Sequence, residues 1–310
     1  MTAHWNLLAL DSLGALLARG PDAAAFLQGQ LSADVTKLSA ERSLLAGYHN
    51  PQGRVLALMR LLEIAPGELL AVLPRELIAA ILARLSAFVL RSRVVLSDDS
   101  AAWRFQGLIE SGAPGAHAAL PQSAGGVSRR ADALLARVGE APARWLIATR
   151  AAPGAAAASL GVEVGPGGDA QLWRRLAVEA GEPEVYAATS GEFVAQMLNL
   201  DALGAIAFDK GCYTGQEVIA RAHYRGRVKR RLQRFRTVEP RVLAPGETCV
   251  LSDGRAVRVV DAVRIAGGRC EFLAVAPLLA VTADAPDEAA PADAGRLDAV
   301  PLPLPYALPD

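Results

Sequence analysis

The sequence predicts an α+β protein, and three observations carry that expectation. Up to about residue 225, apolar strand-like runs alternate with amphipathic helical stretches; beyond residue 245, short runs pair across Gly-containing turns. The 310 residues are 52% hydrophobic and 21% charged, enough to bury a large core and too apolar for a disordered chain. The length points to more than one domain.

Taken in order, Gly20-Pro21-Asp22 leads into a helix expected over 23–33, with Phe26, Leu27 and Leu31 at helical spacing and Asp22 as the cap accepting from the first amides. Runs at 43–48 and 54–64 flank His49-Asn50-Pro51-Gln52-Gly53, a turn-forming cluster, and Pro66-Gly67 precedes a third run at 69–73. Three antiparallel strands fit this pattern. Pro74 then stands ahead of Leu77, Ile78, Ile81, Leu82, Leu85, Phe88 and Val89, whose spacing of three and four predicts a helix with Arg75, Glu76 and Arg84 on its wet side. Short β-like runs follow at 94–96, 103–109, 131–138 and 144–148, around a Gly/Pro/Ala stretch at 112–126. The Gly-rich loop 160–169 ends on Asp169, an N-cap for a helix bearing Leu172, Trp173, Leu176 and Val178. Runs at 247–251, 256–265 and 270–276, joined by the Asp253-Gly254 and Gly267-Gly268 turns, form an all-β module, a small barrel or sandwich. Residues 284–310 hold six acids, one Arg and repeated Pro, and read as an extended surface tail rather than a folded element.

Thirty-two basic and 32 acidic residues cancel, so a charged partner must be met by a local patch. Three cysteines cannot form a disulfide framework, which favours a reducing compartment. His4, Asn6 and Asp11 spoil any signal peptide, and no window holds the roughly 18 apolar residues of a membrane span, so a cytoplasmic protein without membrane attachment is expected. Walker, GxGxxG, GxSxG, HExxH and CxxC motifs are absent, and the four His and three Cys lack ligand spacing, so no metal is expected.

What remains is Asp209-Lys210-Gly211-Cys212-Tyr213-Thr214-Gly215-Gln216-Glu217, running into helix-like Val218 to Arg221. Gly211 and Gly215 permit a tight turn or close approach of a flat ligand, and Gln216 with Glu217 can read the edge of a polar heterocycle. Lys210 and a following helix N-terminus would favour a Cys212 thiolate; burial in an apolar pocket would instead make Cys212 structural. From 218 to 238 there is no acid, while Arg221, Arg225, Arg227, Lys229, Arg230, Arg231, Arg234 and Arg236 add eight positive charges. This is either an anion site, with Tyr224 and Phe235 as stacking rings, or a solvated strand face paired with acids elsewhere.

The run KGCYTGQEVIAR resembles the signature of the YgfZ folate-binding family, relatives of the aminomethyltransferase (T-protein) of the glycine cleavage system. The resemblance extends to WRRLAVEAGEP at Trp173 to Pro183, Ser190 to Phe193, QMLNLDALGAIAF ending at Phe208, FLQGQLSADV at Phe26 to Val35, and Pro303 to Tyr306. It implies a three-part architecture: two interleaved α/β subdomains forming a folate-binding half, 1–225, and a C-terminal antiparallel β-barrel with the acidic tail, 226–310, around a central hole. It also implies tetrahydrofolate or a derivative as cofactor, iron–sulfur enzymes as clients, and through them a link to tRNA modification; direct tRNA contact is a further reading of the basic run. Lys210 and Cys212 become the functional pair, with Cys212 the thiol. By the same resemblance Gly211, Tyr213, Gly215, Gln216 and Glu217 would line the folate site, with Trp173 facing the pterin. Arg221 and Arg225, from the basic run, would draw in the anionic glutamate tail. The chain departs from the family at Leu13, where some members carry a second folate-linked Trp; Leu13 can cover a pterin but cannot stack on it. The alternative reading is a folate-dependent aminomethyl transferase.

Overall fold

The computed structural model describes residues 4–111, 120–130, 132–151, 169–226, 228–278 and 294–309. Much of the 112–126 stretch, most of the 160–169 loop and the start of the acidic tail lie outside them. The chain is mixed α+β, dominated by sheet, and forms two compact units: Met1–Tyr48, Ala57–Trp173 and Asp209–Tyr213 in the first, His49–Leu56, Arg174–Phe208 and Thr214–Asp310 in the second.

Two five-stranded sheets interleave along the first part of the chain. Strand β1 (His4–Ala9) opens one sheet, and the chain then builds the other from β2 (Leu13–Arg19), β3 (Leu44–His49), β4 (Val55–Ala65), β5 (Glu68–Pro74) and β6 (Val95–Asp98), with α1 (Ala23–Gln28) and α2 (Ile78–Ser86) between strands. It returns to the first sheet with β7 (Arg104–Ser111), β8 (Val127–Arg130), β9 (Ala133–Glu140) and β10 (Ala143–Thr149). The spatial orders are β1-β7-β10-β9-β8 and β3-β4-β5-β2-β6. The period-2 alternation of strand side chains explains the packing. Leu134, Ala136, Leu146 and Ala148 join Leu62, Leu70 and Val72 of the other sheet in one core, while Ala133, Leu135, Trp145 and Ile147 join Trp5, Leu108 and Leu120 in another. Each fully buried Leu or Val contributes roughly 1.5–3 kcal/mol, so a one-residue slip that exchanged the two faces would cost most of this packing.

The strands expected at 43–48, 54–64 and 69–73 are β3, β4 and β5, and Asp169 accepts from the Gln171 amide at 2.9 Å to cap α3 (Ala170–Glu179). The helix expected over 23–33 is shorter. α1 ends at Gln28, and Leu31 instead makes a β-bridge to Tyr48. Asp22 does not cap it: its carboxylate accepts from the Arg93 amide at 2.8 Å and from the Arg93 guanidinium at 3.2 Å. Charge-assisted bonds to Arg93 outcompete the helix amides.

In the second unit, α4 (Gln216–Tyr224) is followed by β11 (Arg230–Thr237), β12 (Thr248–Leu251), β13 (Ala256–Arg264), β14 (Cys270–Pro277), β15 (Gly295–Leu297) and β16 (Ala299–Leu302), in the sheet order β15-β12-β13-β14-β11-β16. The edge strands β15 and β16 are separated in sequence by Asp298 alone, and the sheet curves as a half-barrel. Phe235, Val257, Val259, Phe272 and Leu297 are among the side chains of its core. The tail is therefore not wholly extended over the surface. Residues 295–302 are built into the sheet, and Asp298 O accepts from the Val238 amide at 3.0 Å. β11 is the strand that one of the two readings of the basic run allowed, with Phe235 alternating with polar neighbours.

Among the described residues no helix is long and apolar enough to cross a membrane.

Candidate functional site

The signature loop is anchored through Lys210. Its ammonium donates to the carbonyl oxygens of Gln28, Leu31 and Ala33 at 2.8, 2.7 and 2.7 Å, and lies 5.1 Å from the centre of the Tyr213 ring. The acceptors converge because the FLQGQLSADV segment folds on itself: Gln28 Nε2 donates to Asp34 Oδ1 at 2.9 Å, Gln28 Oε1 accepts from the Val35 amide at 2.7 Å, and Asp34 accepts from the Thr36 hydroxyl at 2.7 Å. Ending α1 at Gln28 frees these carbonyls to face the ammonium. Desolvation pulls the Lys210 pKa down to about 8, with the Asp34 carboxylate pulling the other way. All three ammonium protons are engaged, so Lys210 has none left to donate to Cys212.

Cys212 is exposed, whereas Cys249 and Cys270 are buried in the curled sheet. The buried-thiol alternative for Cys212 is thereby removed. Tyr213 is buried, and desolvation pushes its phenol up to about 12. Gln30 Oε1 is buried without a hydrogen-bond partner among the described residues.

The two glycines of the signature serve different ends. Gly215 has φ +83°, and a Cβ there would lie 2.5 Å from the Asn50 carbonyl oxygen. It is thus required by the hairpin turn between β3 and β4, where Gly53 N donates to Asn50 O at 2.9 Å and Asn50 Oδ1 accepts from the Arg54 amide at 2.9 Å. A Cβ at Gly211 would meet nothing within 4 Å. What Gly211 leaves is open space beside an exposed thiol.

From Gly215 the chain enters α4, whose inner face buries Ile219; the Ile219 carbonyl accepts from Gln196 Nε2 at 2.7 Å. Gln216 is half-buried and Glu217 exposed, 3.9 Å from Arg221 on the next turn. Arg221 and Arg225 are both exposed.

Trp173, on α3, is half-buried against the first unit's core, and so is Leu13. A Cβ at Gly107 of β7 would lie 2.3 Å from Trp173 Cε3, so the indole rests directly on the strand backbone. The Arg144 guanidinium carbon lies 5.5 Å from the Trp173 ring centre, and a Cβ at Gly139 would lie 2.5 Å from Arg144 Nε. Gly107, Gly139 and Arg144 thus position Trp173, and none was singled out from the sequence. The signal for Arg144 is a lone Arg inside the apolar strand ARWLIAT, buried to 2% exposure.

The basic run divides. Arg231 is buried and makes a bidentate pair with Asp201 at 3.0 Å for both bonds, and also donates to Gln196 O at 3.1 Å. Arg234 meets Glu271 at 2.6 Å, and Arg230 donates to Ala256 O at 2.8 Å. Phe235 is fully buried, stacked on Phe272, and cannot serve as a ligand ring. This inner part is the strand paired with acids elsewhere, the acids being Asp201 and Glu271. Arg221, Arg225 and Lys229 remain outward.

No family model matches the chain. The glycine cleavage system aminomethyltransferase T from Bartonella henselae superposes with a TM-score of 0.65 at 17% identity, covering 88% of this chain and 78% of its own, a likeness of fold. The molecule is therefore an aminomethyltransferase-fold protein. A curated relative from Serratia proteamaculans (strain 568), the tRNA-modifying protein YgfZ, is 32% identical over 312 residues, 98% of this chain and 93% of that protein. The chain belongs to the YgfZ family.

Proposed function

We propose that this protein is a tetrahydrofolate-binding accessory protein that supports the assembly or repair of iron–sulfur enzymes and, through them, the modification of tRNA. The observation that carries the reading is the exposed Cys212 thiol beside the open space at Gly211, on a loop fixed by the three-carbonyl cradle of Lys210. A lysine so engaged holds the loop, and the chemistry rests with the thiol. The name of the Serratia relative, a tRNA-modifying protein, supports the biological direction.

The residues present fit a folate. Trp173 offers a half-buried indole steadied by Gly107 and Arg144, suited to the flat pterin, with Leu13 as an apolar neighbour on the same core. The buried Gln30 Oε1 adds an acceptor in the motif that cradles Lys210. Bound folate would supply a one-carbon carrier. The family resemblance extends ligand contact to Gly211, Tyr213, Gln216 and Glu217, and to a folate-binding half over 1–225 with a C-terminal barrel over 226–310. Arg221 and Arg225 are the charges for a polyglutamate tail.

The test is complementation of a strain deleted for this gene. The wild-type chain should restore the activity of iron–sulfur tRNA-modifying enzymes, and Cys212→Ala should not. Full restoration by Cys212→Ala would remove the thiol from the account.

A further inference from the structure

The outward part of the basic run carries an aromatic cluster that the folate reading does not use. Phe208 and His223 stack face to face, ring centres 3.8 Å apart and planes 13° from parallel. Tyr224 stands edge-on to both, 4.7 Å from His223 and 6.1 Å from Phe208. The core does not require this cluster: Tyr224 is 66% exposed, His223 is exposed, and the buried side of α4 is carried by Ile219.

Helical spacing adds charge at the same place. Arg221 and Tyr224 lie three apart on α4, and Arg225 caps the helix with its amide donating to Arg221 O at 2.9 Å, which keeps both arginines beside Tyr224. The Arg221 side chain is 75% exposed, and its partner Glu217, at 3.9 Å and 90% exposed, is a solvent-screened neighbour. Unlike Arg231 and Arg234, which the fold consumes, these two guanidiniums point outward. An exposed tyrosine ring and an exposed imidazole beside solvent-exposed guanidiniums match a ligand that offers flat π-systems and phosphates together. An acidic peptide would satisfy the guanidiniums and leave the rings unused.

We infer that Phe208, His223 and Tyr224, with Arg221 and Arg225, form a stacking platform for unpaired RNA nucleotides, the bases on the rings and the phosphates on the guanidiniums. The inference does not need folate to bind, but it gives RNA phosphates the same two guanidiniums that the folate reading gives to a polyglutamate tail; the three rings belong to it alone. It assigns to the chain itself a direct contact with RNA.

The experiment is fluorescence anisotropy with a labelled 12-nucleotide oligoadenylate RNA, and a 12-base-pair duplex RNA of matched length, across 25–200 mM salt. Wild-type protein should bind the single strand more tightly than the duplex. Tyr224→Ala should weaken single-strand binding roughly 5- to 150-fold, the scale of one base–aromatic stack, and Tyr224→Trp should retain it. Arg221→Ala combined with Arg225→Ala should lower the slope of log affinity against log salt by about 1.4, two single-strand phosphates' worth. Circular dichroism melts would confirm that each variant is folded. Absence of single-strand binding, equal binding of duplex, or unchanged affinity in Tyr224→Ala would overturn the inference. Tetrahydrofolate titration of Tyr224→Ala should match wild type, so failure of one reading is distinguishable from failure of the other.

Discussion

The Lys210 ammonium lies 2.7 Å from the Leu31 carbonyl oxygen, joining residues 179 positions apart and tying the signature loop to the FLQGQ segment. With Gln28 and Ala33 it completes a three-acceptor cradle. Lys210→Met should therefore destabilise the protein by about 2–4 kcal/mol, since the charge-assisted bonds vanish and three carbonyls lose their donor. Lys210→Arg should not recover this, because a planar guanidinium cannot aim three N–H groups as an ammonium does. Urea denaturation midpoints check both, and an unchanged midpoint in Lys210→Met would show that the cradle contributes nothing.

The two signature glycines should separate stability from function. Gly215→Ala is expected to cost at least about 2 kcal/mol, because it places a side chain in left-handed backbone and within 2.5 Å of Asn50 O. Gly211→Ala meets nothing and should change stability by less than about 0.5 kcal/mol, while impairing complementation by filling the space beside Cys212. Thermal melts and complementation of the pair together decide the matter.

Arg231 and Asp201 are nearly fully buried and joined by two bonds of 3.0 Å. Removing one charge strands the other, so Asp201→Ala should cost about 3–5 kcal/mol. The double change Arg231→Met with Asp201→Leu should cost much less than the sum of the single changes, read from a double-mutant cycle of denaturation free energies.

Acid sensitivity should trace partly to His49. Burial holds its imidazole neutral, with a pKa lowered from 6.5 to about 3. The unfolded chain binds this proton below about 6.5 and the folded chain does not, so stability falls as pH drops from 6.5 toward 3, with a slope approaching about 1.4 kcal/mol per pH unit. His49→Leu should flatten that part of the profile, measured by urea titrations at pH 7, 6, 5 and 4.

How much of this was legible in the sequence depends on which interaction decided each element. β3, β4 and β5 were, because apolar runs between Pro and Gly turns leave few alternatives. α1 was overextended because its helical spacing continues to Leu31, while what ends it is long-range: the Leu31 bridge to Tyr48 and the Lys210 ammonium. β11 was legible only as one of two readings of its charges, since nothing local indicates that Arg231 and Arg234 have Asp201 and Glu271 waiting. Lys210, Gly211 and Cys212 stood out as a motif. The cradle that holds Lys210 did not, because its partners are backbone carbonyls and carry no sequence signal. Trp173 was legible through resemblance alone, and Arg144 beneath it only as an odd charge in an apolar strand.

The most direct test of the account is calorimetric titration of the purified chain with tetrahydrofolate, comparing wild type, Trp173→Phe and Trp173→Ala. Saturable one-site binding is predicted for wild type, with affinity largely kept in Trp173→Phe and reduced about 10-fold in Trp173→Ala, the scale of a lost aromatic stack. No binding heat with wild type, or equal affinity in wild type and a folded Trp173→Ala, would contradict it.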